Sequence, residues 1–149
     1  MNNATICVKK LAPSAKMPTY ATELSAGADL YALPELGEIT VEAGDTVFVR
    51  TGLAIAIPAG YAGLIYARSG LACKRGLAPA NKVGVIDADY RGEVMVALHN
   101  HGKTAVTLEA GERIAQLVIT PVLAPAFLEC DTLDDTARGA GGFGSTGNL

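Results

Sequence analysis

The chain has 149 residues, half of them hydrophobic, and a formal net charge of −3 at pH 7. That length fits one domain with enough apolar side chains to build a core. The small negative charge argues against a broad nucleic-acid-binding surface, because such surfaces are strongly basic. Any recognition of phosphate groups must therefore be local.

Cysteine usage and hydrophobic run lengths indicate the environment of the protein. Cys7, Cys73 and Cys130 lack the spacing of a metal site, so we expect free thiols in a reducing compartment. No apolar run approaches the roughly 18 residues of a membrane-spanning helix, and no basic patch followed by an apolar run marks a signal peptide. We therefore predict a soluble, cytoplasmic protein without a membrane partner.

Short apolar runs separated by Gly, Pro and Asn indicate strands joined by turns. The predicted strands are 46–50, 53–57, 61–67, 94–98, 104–108 and 114–121, with one helical turn at 69–74. The segment 100–103 predicts a hairpin, because its glycine can adopt a positive φ. The pattern favours an all-β domain that is a sandwich, a barrel or a jelly roll.

The C-terminal end changes in composition. Acidic and polar residues after Pro125 predict a linker rather than core, and five glycines between Gly139 and Gly147 prevent a stable helix or strand. This last stretch also carries an arginine, an aromatic ring and two adjacent hydroxyls, which are groups suited to binding a nucleotide. From these residues alone, a flexible tail and a mobile arm that orders over a nucleotide are both open.

The segment 84–93 is dense in polar groups. If the chain is extended there, Asp87 and Asp89 lie on the same side, since side chains alternate along a strand. The flanking Gly84 and Gly92 suggest a hairpin with close backbone approach. A carboxylate beside such a backbone is able to deprotonate a water, whereas the alternative is a solvated surface turn.

Other isolated groups have two interpretations each. Arg68-Ser69-Gly70 offers donors for phosphate oxygens, although such tripeptides are common. Asp29, inside an apolar run, needs a partner, which is either the hydration shell of Mg²⁺ or an ordinary buried hydrogen bond. Gln116 faces either solvent or a ligand.

His99 and His101 are two residues apart and can share one face of a strand. A metal site needs a third ligand, and none is evident nearby in the sequence. A polar hairpin end is therefore the favoured interpretation of this pair.

Five segments together resemble the trimeric dUTP diphosphatase (dUTPase) family, in the family's order and over residues 26–147. They are Ala26-Gly-Ala-Asp-Leu-Tyr-Ala32, Ala67-Arg-Ser-Gly-Leu-Ala72, Asn81-Lys-Val-Gly-Val-Ile-Asp-Ala-Asp-Tyr-Arg-Gly-Glu93, Gly111-Glu-Arg-Ile-Ala-Gln-Leu117 and Arg138-Gly-Ala-Gly-Gly-Phe-Gly-Ser-Thr-Gly147. One motif is weak evidence, but five in order are strong evidence.

The resemblance implies an all-β jelly-roll homotrimer with active sites shared between subunits. Residues 1–128 would form the catalytic domain, 129–137 an acidic linker and 138–149 a glycine-rich arm that covers the site. The implied reaction is hydrolysis of dUTP to dUMP and diphosphate with Mg²⁺, which limits uracil incorporation into DNA and supplies dUMP for thymidylate synthesis.

The resemblance also implies residue roles. Asp87 would deprotonate the water that attacks the α-phosphorus, and Asp29 would bind a water of the Mg²⁺ shell rather than the ion. Asn81 would bind the uracil edge, and Tyr90 would lie against the deoxyribose and exclude a 2′-hydroxyl. Phe143 would stack on uracil. The other implied substrate contacts are Arg68, Ser69, Gly70, Val85, Ile86, Met95, Gln116, Arg138, Gly144, Ser145 and Thr146, of which Arg138, Ser145 and Thr146 would reach the γ-phosphate from a neighbouring subunit.

One departure from the family pattern is visible at Ala67, where many members have proline. Proline would fix φ there, so alanine is expected to loosen the turn without removing a catalytic group. The alternative functions are a dCTP deaminase of similar fold, either monofunctional or bifunctional, and a non-catalytic nucleotide sensor or assembly protein.

Overall fold

The computed structural model describes residues 5–143, and it confirms the prediction of an all-β chain with one short helix. The α-helix, α1, is Ser69–Arg75, and a 3-10 helix covers Pro34–Leu36. The strands are β1 Cys7–Lys10, β2 Thr19–Tyr20, β3 Ala28–Tyr31, β4 Ile39–Val41, β5 Thr46–Arg50, β6 Leu53–Ala56, β7 Tyr61–Tyr66, β8 Leu77–Pro79, β9 Gly84–Ile86, β10 Met95–Asn100, β11 Val106–Leu108 and β12 Arg113–Pro121.

The strands form antiparallel sheets around one main core. The largest sheet has the order β2-β3-β12-β7-β9, a second has the order β5-β10-β8, and β1-β6 and β11-β4 are two-stranded. Side chains from all of these sheets, among them Leu30, Ile55, Leu98, Leu108 and Ile114, form one buried cluster. Burial of this apolar surface is the main force that holds the sheets together.

Strand β10 shows how alternation sets the two faces of a sheet. Val96 and Leu98 are buried in the core, whereas Met95 is exposed on the opposite face. The exposed face of β10 is therefore available to line a cavity, while its buried face anchors the strand.

The predicted hairpin at 100–103 is wrong, because the two strands that flank it belong to different sheets. Strand β10 pairs with β5 and β8, and β11 pairs with β4. Asn100 is fully buried, and its Nδ2 donates to the carbonyl oxygens of Val41 and Thr104, each at 2.9 Å. The Asn100 amide thus stabilises the passage of the chain from one sheet to the other. Its partner Val41 is distant in the sequence, so local patterns do not reveal the contact.

The chain leaves the sheets after Pro121, where β12 ends. From Leu123 to Ala140 the residues are exposed, including Leu123, Phe127 and Leu128. The division at 128 and 137 into domain, linker and arm stays a prediction.

Two further properties concern the surface of the described range. All three cysteines are exposed and carry free thiols. No helix within residues 5–143 has both the length and the apolar character that a membrane crossing requires.

Candidate active site

An open cavity of about 260 Å³, here called the base cavity, lies beside β9 and the chain that follows it. It brings together all the sequence-predicted residues of this segment, which are Asn81, Val85, Ile86, Asp87, Tyr90 and Met95. It also includes Phe48 and Glu93, two residues that sequence reasoning did not assign to the site. Phe48 is opposite Ala97 in the β5–β10 register, a pairing that only the fold reveals.

Close approach of two strands positions Asn81. A Cβ on Gly84 would lie 3.2 Å from the Ile65 Cβ and 3.5 Å from the Asn81 Nδ2, so glycine allows β9 to pack tightly against β7. Lys82 adopts a positive φ of 66°, which turns the chain between Pro79 and β9. The Asn81 amide is thereby placed on the wall of the base cavity.

A turn at residues 87–90 follows β9, so the extended arrangement considered for Asp87 and Asp89 is wrong. The Tyr90 N–H donates to the Asp87 carbonyl oxygen at 3.2 Å, and the Arg91 Nη1 donates to the Ala88 carbonyl oxygen at 2.6 Å. β9 pairs with β7 rather than with β10, so no ladder hairpin closes this segment within the described chain. The turn places Asp87 and Tyr90 on the same cavity.

The Asp87 carboxylate is exposed and lines the base cavity. Within residues 5–143 no side-chain hydrogen bond or ion pair engages it. An uncommitted carboxylate of this kind is able to accept a proton from a water molecule.

A second cavity of about 300 Å³, here called the phosphate cavity, lies where β3, β12 and the start of α1 meet. It brings together five of the residues that the resemblance assigns to phosphates and to the Mg²⁺ shell: Asp29, Arg68, Ser69, Gly70 and Gln116. The base cavity and the phosphate cavity have no lining residue in common.

Two arginines engage Asp29, whose exposure is only 8 %. The Arg68 Nε donates to its Oδ1 at 2.8 Å, and the Arg113 Nη1 donates to its Oδ2 at 3.1 Å. Two cations around one carboxylate leave a net positive charge, which favours bound phosphate. Arg113 was missed by sequence reasoning, although it lies inside the fourth motif.

Gln116 faces the phosphate cavity rather than open solvent. Its Nε2 donates to the Ala67 carbonyl oxygen at 2.8 Å. A Cβ on Gly27 would lie 2.6 Å from the Gln116 Oε1, so glycine is needed there for the observed position of the amide. Since proline also has a carbonyl oxygen, the Ala67 departure does not remove the acceptor of this bond.

The two histidines lie at the end of β10. The His99 Nδ1 and the Thr46 Oγ1 are 2.9 Å apart, and the His99 and His101 rings contact edge to face with centroids 4.5 Å apart. Desolvation, and then the charges of His99 and Lys82, lower the pKa of His101. Neither histidine lines the base cavity or the phosphate cavity.

The start of the arm lies at the end of the described range. The Arg138 Nε donates to the Gly141 carbonyl oxygen at 2.8 Å, and Phe143 is fully exposed. Neither cavity is lined by Arg138 or Phe143. Gly144, Ser145 and Thr146 lie outside the described residues.

Comparison with known proteins identifies close relatives. The family model for dUTPase matches residues 13–147. The deoxyuridine 5′-triphosphate nucleotidohydrolase of Desulfitobacterium hafniense is 53% identical over 133 residues, which are 89% of this chain and 87% of the relative. The protein of the same name from Syntrophotalea carbinolica is 47% identical over 147 residues, 99% of each chain.

Solved structures agree with these relatives. A Staphylococcus bacteriophage 80alpha dUTPase mutant, solved with dUpNHpp, superposes with a TM-score of 0.87 at 29% identity, over 96% of this chain and 98% of that one. A dUTPase mutant from phage phi11 of S. aureus, which reveals the coordination of a structural Mg(II) ion, has a TM-score of 0.78 at 25% identity, over 87% and 98%. The matches confirm the jelly-roll prediction and do not favour a dCTP deaminase. This chain therefore belongs to the dUTPase family.

Proposed function

We propose that the protein hydrolyses dUTP to dUMP and diphosphate at a site composed of the base cavity and the phosphate cavity. The observation that carries the proposal is the pairing of these cavities in a member of the dUTPase family. One cavity presents an amide, a tyrosine and an uncommitted carboxylate, and the other presents two arginines, a serine and a glutamine.

The base cavity would hold the deoxyuridine part of the substrate. The Asn81 amide has both a donor and an acceptor for the uracil edge, while Val85, Ile86 and Met95 contribute backbone or apolar contacts. A site that pairs one polar edge rejects a mismatched base by about 10⁴-fold, because the mismatch leaves buried polar groups unpaired. Tyr90 would pack against the deoxyribose where a ribose carries its 2′-hydroxyl.

Asp87 would act as the general base. Its carboxylate accepts a proton from a water molecule, and the oxygen of that water attacks the α-phosphorus in line with the bond to the leaving diphosphate. General-base catalysis of this kind contributes about 10²–10⁴-fold to the rate. The uncommitted state of the Asp87 carboxylate supports this role.

The phosphate cavity would hold the triphosphate. Arg68 and Gln116 supply donors from side chains, and Ser69 and Gly70 supply a hydroxyl and a backbone amide at the start of α1. Phosphoryl transfer depends mainly on such positioning and on charge neutralisation.

The residues of this cavity fit Mg²⁺ only as an indirect partner. Residues 5–143 contain no group of three His, Cys, Asp or Glu side chains able to hold a metal. Mg²⁺ commonly keeps several waters and binds substrate phosphates, whose negative charge it neutralises. Both Asp29 oxygens bind arginines but retain further lone pairs, so Asp29 would accept a hydrogen bond from a metal-bound water.

A homotrimer would unite these parts. The two cavities share no lining residue, and the start of the arm contacts neither of them. Leu123, Phe127 and Leu128 are exposed along the segment that precedes the arm, and apolar surface of this kind is typical of protein contacts. We infer that this segment packs on a neighbouring subunit and that Phe143, Arg138, Ser145 and Thr146 complete a site there.

The proposal is tested by measuring diphosphate release from dUTP, dCTP, dTTP and UTP with the full-length protein. We expect rapid release from dUTP and little from the other three. Ammonia release from dCTP would instead identify a deaminase, and binding of dUTP without diphosphate release would identify a non-catalytic nucleotide-binding protein.

A further inference from the structure

Glu93 lies three residues after Tyr90 and lines the base cavity without a role assigned by the family resemblance. We propose that Glu93, held by Arg50, is a positioning residue that fixes Tyr90 and thereby sets the preference for deoxyribose over ribose. The inference rests on the proposed function, because it needs Tyr90 to contact the sugar.

Two groups from the end of β5 and the following turn hold the Glu93 carboxylate. The Arg50 Nε donates to Oε1 at 3.2 Å and to Oε2 at 2.9 Å, and the Gly52 N–H donates to Oε1 at 2.8 Å. The Glu93 side chain is 16% exposed, whereas that of Arg50 is 46% exposed. A bifurcated hydrogen bond from a cation and a second hydrogen bond from a backbone amide fix the glutamate better than a single surface ion pair would.

The backbone of the same glutamate holds the tyrosine. The Tyr90 hydroxyl donates to the Glu93 carbonyl oxygen at 3.0 Å. The Tyr90 ring lies against Gly92, since a Cβ on that glycine would lie 2.6 Å from the Tyr90 Cζ. Glu93 therefore connects the tip of the tyrosine ring to β5.

Neighbouring hydrogen bonds make the anchor of this connection rigid. The Val94 N–H donates to the Leu53 carbonyl oxygen at 2.8 Å, and the Thr51 Oγ1 donates to the Val94 carbonyl oxygen at 2.6 Å. Thr51 is 1% exposed. Gly52 adopts a φ of 70°, and a Cβ there would lie 2.8 Å from the Leu33 Cδ1, so the turn after β5 is closely packed. Tyr90 itself is 44% exposed, so only part of its ring is restrained by packing.

This difference in restraint explains why Glu93 matters for selectivity. A half-exposed ring excludes a 2′-hydroxyl only if it cannot move aside, because one hydroxyl needs little extra space. Without the carboxylate contacts, the Val94 N–H bond to Leu53 would be the main remaining restraint on the peptide that carries the Glu93 carbonyl oxygen. That peptide would then tilt about this bond, and the Tyr90 hydroxyl that donates to the Glu93 carbonyl oxygen would move with it. The ring would then tolerate ribose more readily.

The test compares kcat/KM for dUTP and for UTP in the full-length protein. We expect the dUTP-to-UTP ratio to fall by about threefold to tenfold in Glu93→Gln, the loss associated with one or two weakened hydrogen bonds. Arg50→Gln should lower the ratio similarly, and Arg50→Lys should restore part of it because a cation is retained. Glu35→Gln, the same charge change at an exposed glutamate that accepts from the Ser14 hydroxyl, should leave the ratio unchanged.

A double variant identifies the route of the effect. If Glu93 acts through the Tyr90 hydroxyl, the ratio in Tyr90→Phe/Glu93→Gln should equal that in Tyr90→Phe alone. An unchanged ratio in Glu93→Gln, or two independent effects that multiply in the double variant, would overturn the inference. Tyr90→Ala distinguishes failure of the Glu93 inference from failure of the proposed sugar contact. If Tyr90→Ala changes the ratio and Glu93→Gln does not, only the Glu93 inference fails. If neither Tyr90→Ala nor Glu93→Gln changes the ratio, the sugar contact of Tyr90 fails as well.

Discussion

The base cavity and the phosphate cavity each contain an aspartate, and the two aspartates have opposite surroundings. Asp87 is exposed on a turn and its carboxylate has no partner within the described residues, whereas Asp29 is buried between Arg68 and Arg113. One carboxylate is able to take up a proton, and the other neutralises part of the charge of two cations. The same residue type is therefore suited to proton transfer at position 87 and to charge neutralisation at position 29, because the surroundings of the two carboxylates differ.

The cavities also differ in how the chain builds them. In the base cavity, Tyr90 is fixed by contacts with residues three positions away, Asp87 and Glu93. In the phosphate cavity, the Asp29–Arg68 pair joins residues 39 positions apart, and the Asp29–Arg113 pair joins residues 84 apart. A local turn therefore positions Asp87 and Tyr90 in the first cavity, while strand register brings Asp29 and its arginines together in the second.

The largest expected effect separates the two aspartates by activity. Asp87→Asn should lower kcat for dUTP by about 10²–10⁴-fold, because the amide cannot accept the proton of the attacking water. Binding of a non-hydrolysable dUTP analogue should persist, since the change removes no predicted phosphate contact. Steady-state kinetics together with calorimetric titration measure both quantities, and near-normal turnover would reject Asp87 as the base.

Removal of residues 138–149 tests whether the arm joins the two cavities. We expect kcat to fall by on the order of 10²-fold, the loss typical of a poorly positioned substrate. The reason is that Phe143 and the arm's phosphate donors are removed. The oligomeric state should not change, since the deleted residues follow the apolar segment that includes Phe127 and Leu128. Sedimentation velocity provides that control, and full activity of the shortened chain would exclude a role of the arm as a lid.

The two aspartates should also differ in their effect on folding. Asp29→Asn leaves Arg68 and Arg113 without their carboxylate and should lower the free energy of unfolding by about 1–3 kcal/mol. Asp87→Asn is the matched control, because the exposed carboxylate has no partner to lose within the described chain. Equal denaturation midpoints for both variants and the wild type would contradict the contrast between the two cavities.

The same contrast explains what could be predicted from sequence. The motifs indicated most of the polar residues of both cavities, since each motif is a short local string, but they did not include Phe48. The pairing of Asp29 with two arginines was not predicted, because it depends on strand register. The β3–β12 register, with its irregularity between Arg113 and Ala115, places Arg113, and the β12–β7 register places Arg68. The hairpin at Asn100 was predicted wrongly for a similar reason: its amide binds Val41, a residue far away in the chain.

The smallest expected effect concerns Ala67, which precedes the phosphate-cavity arginine. Ala67→Pro should raise the free energy of unfolding by about 0.4–1 kcal/mol, because proline restricts the unfolded chain. The carbonyl oxygen that accepts from Gln116 remains in the variant, so the cavity should retain this contact. Chemical denaturation measures the change, with Ala67→Ser as a control that lacks the ring. A destabilised proline variant would mean that the backbone at position 67 does not match the φ that proline requires, and that this turn differs from the family's usual one.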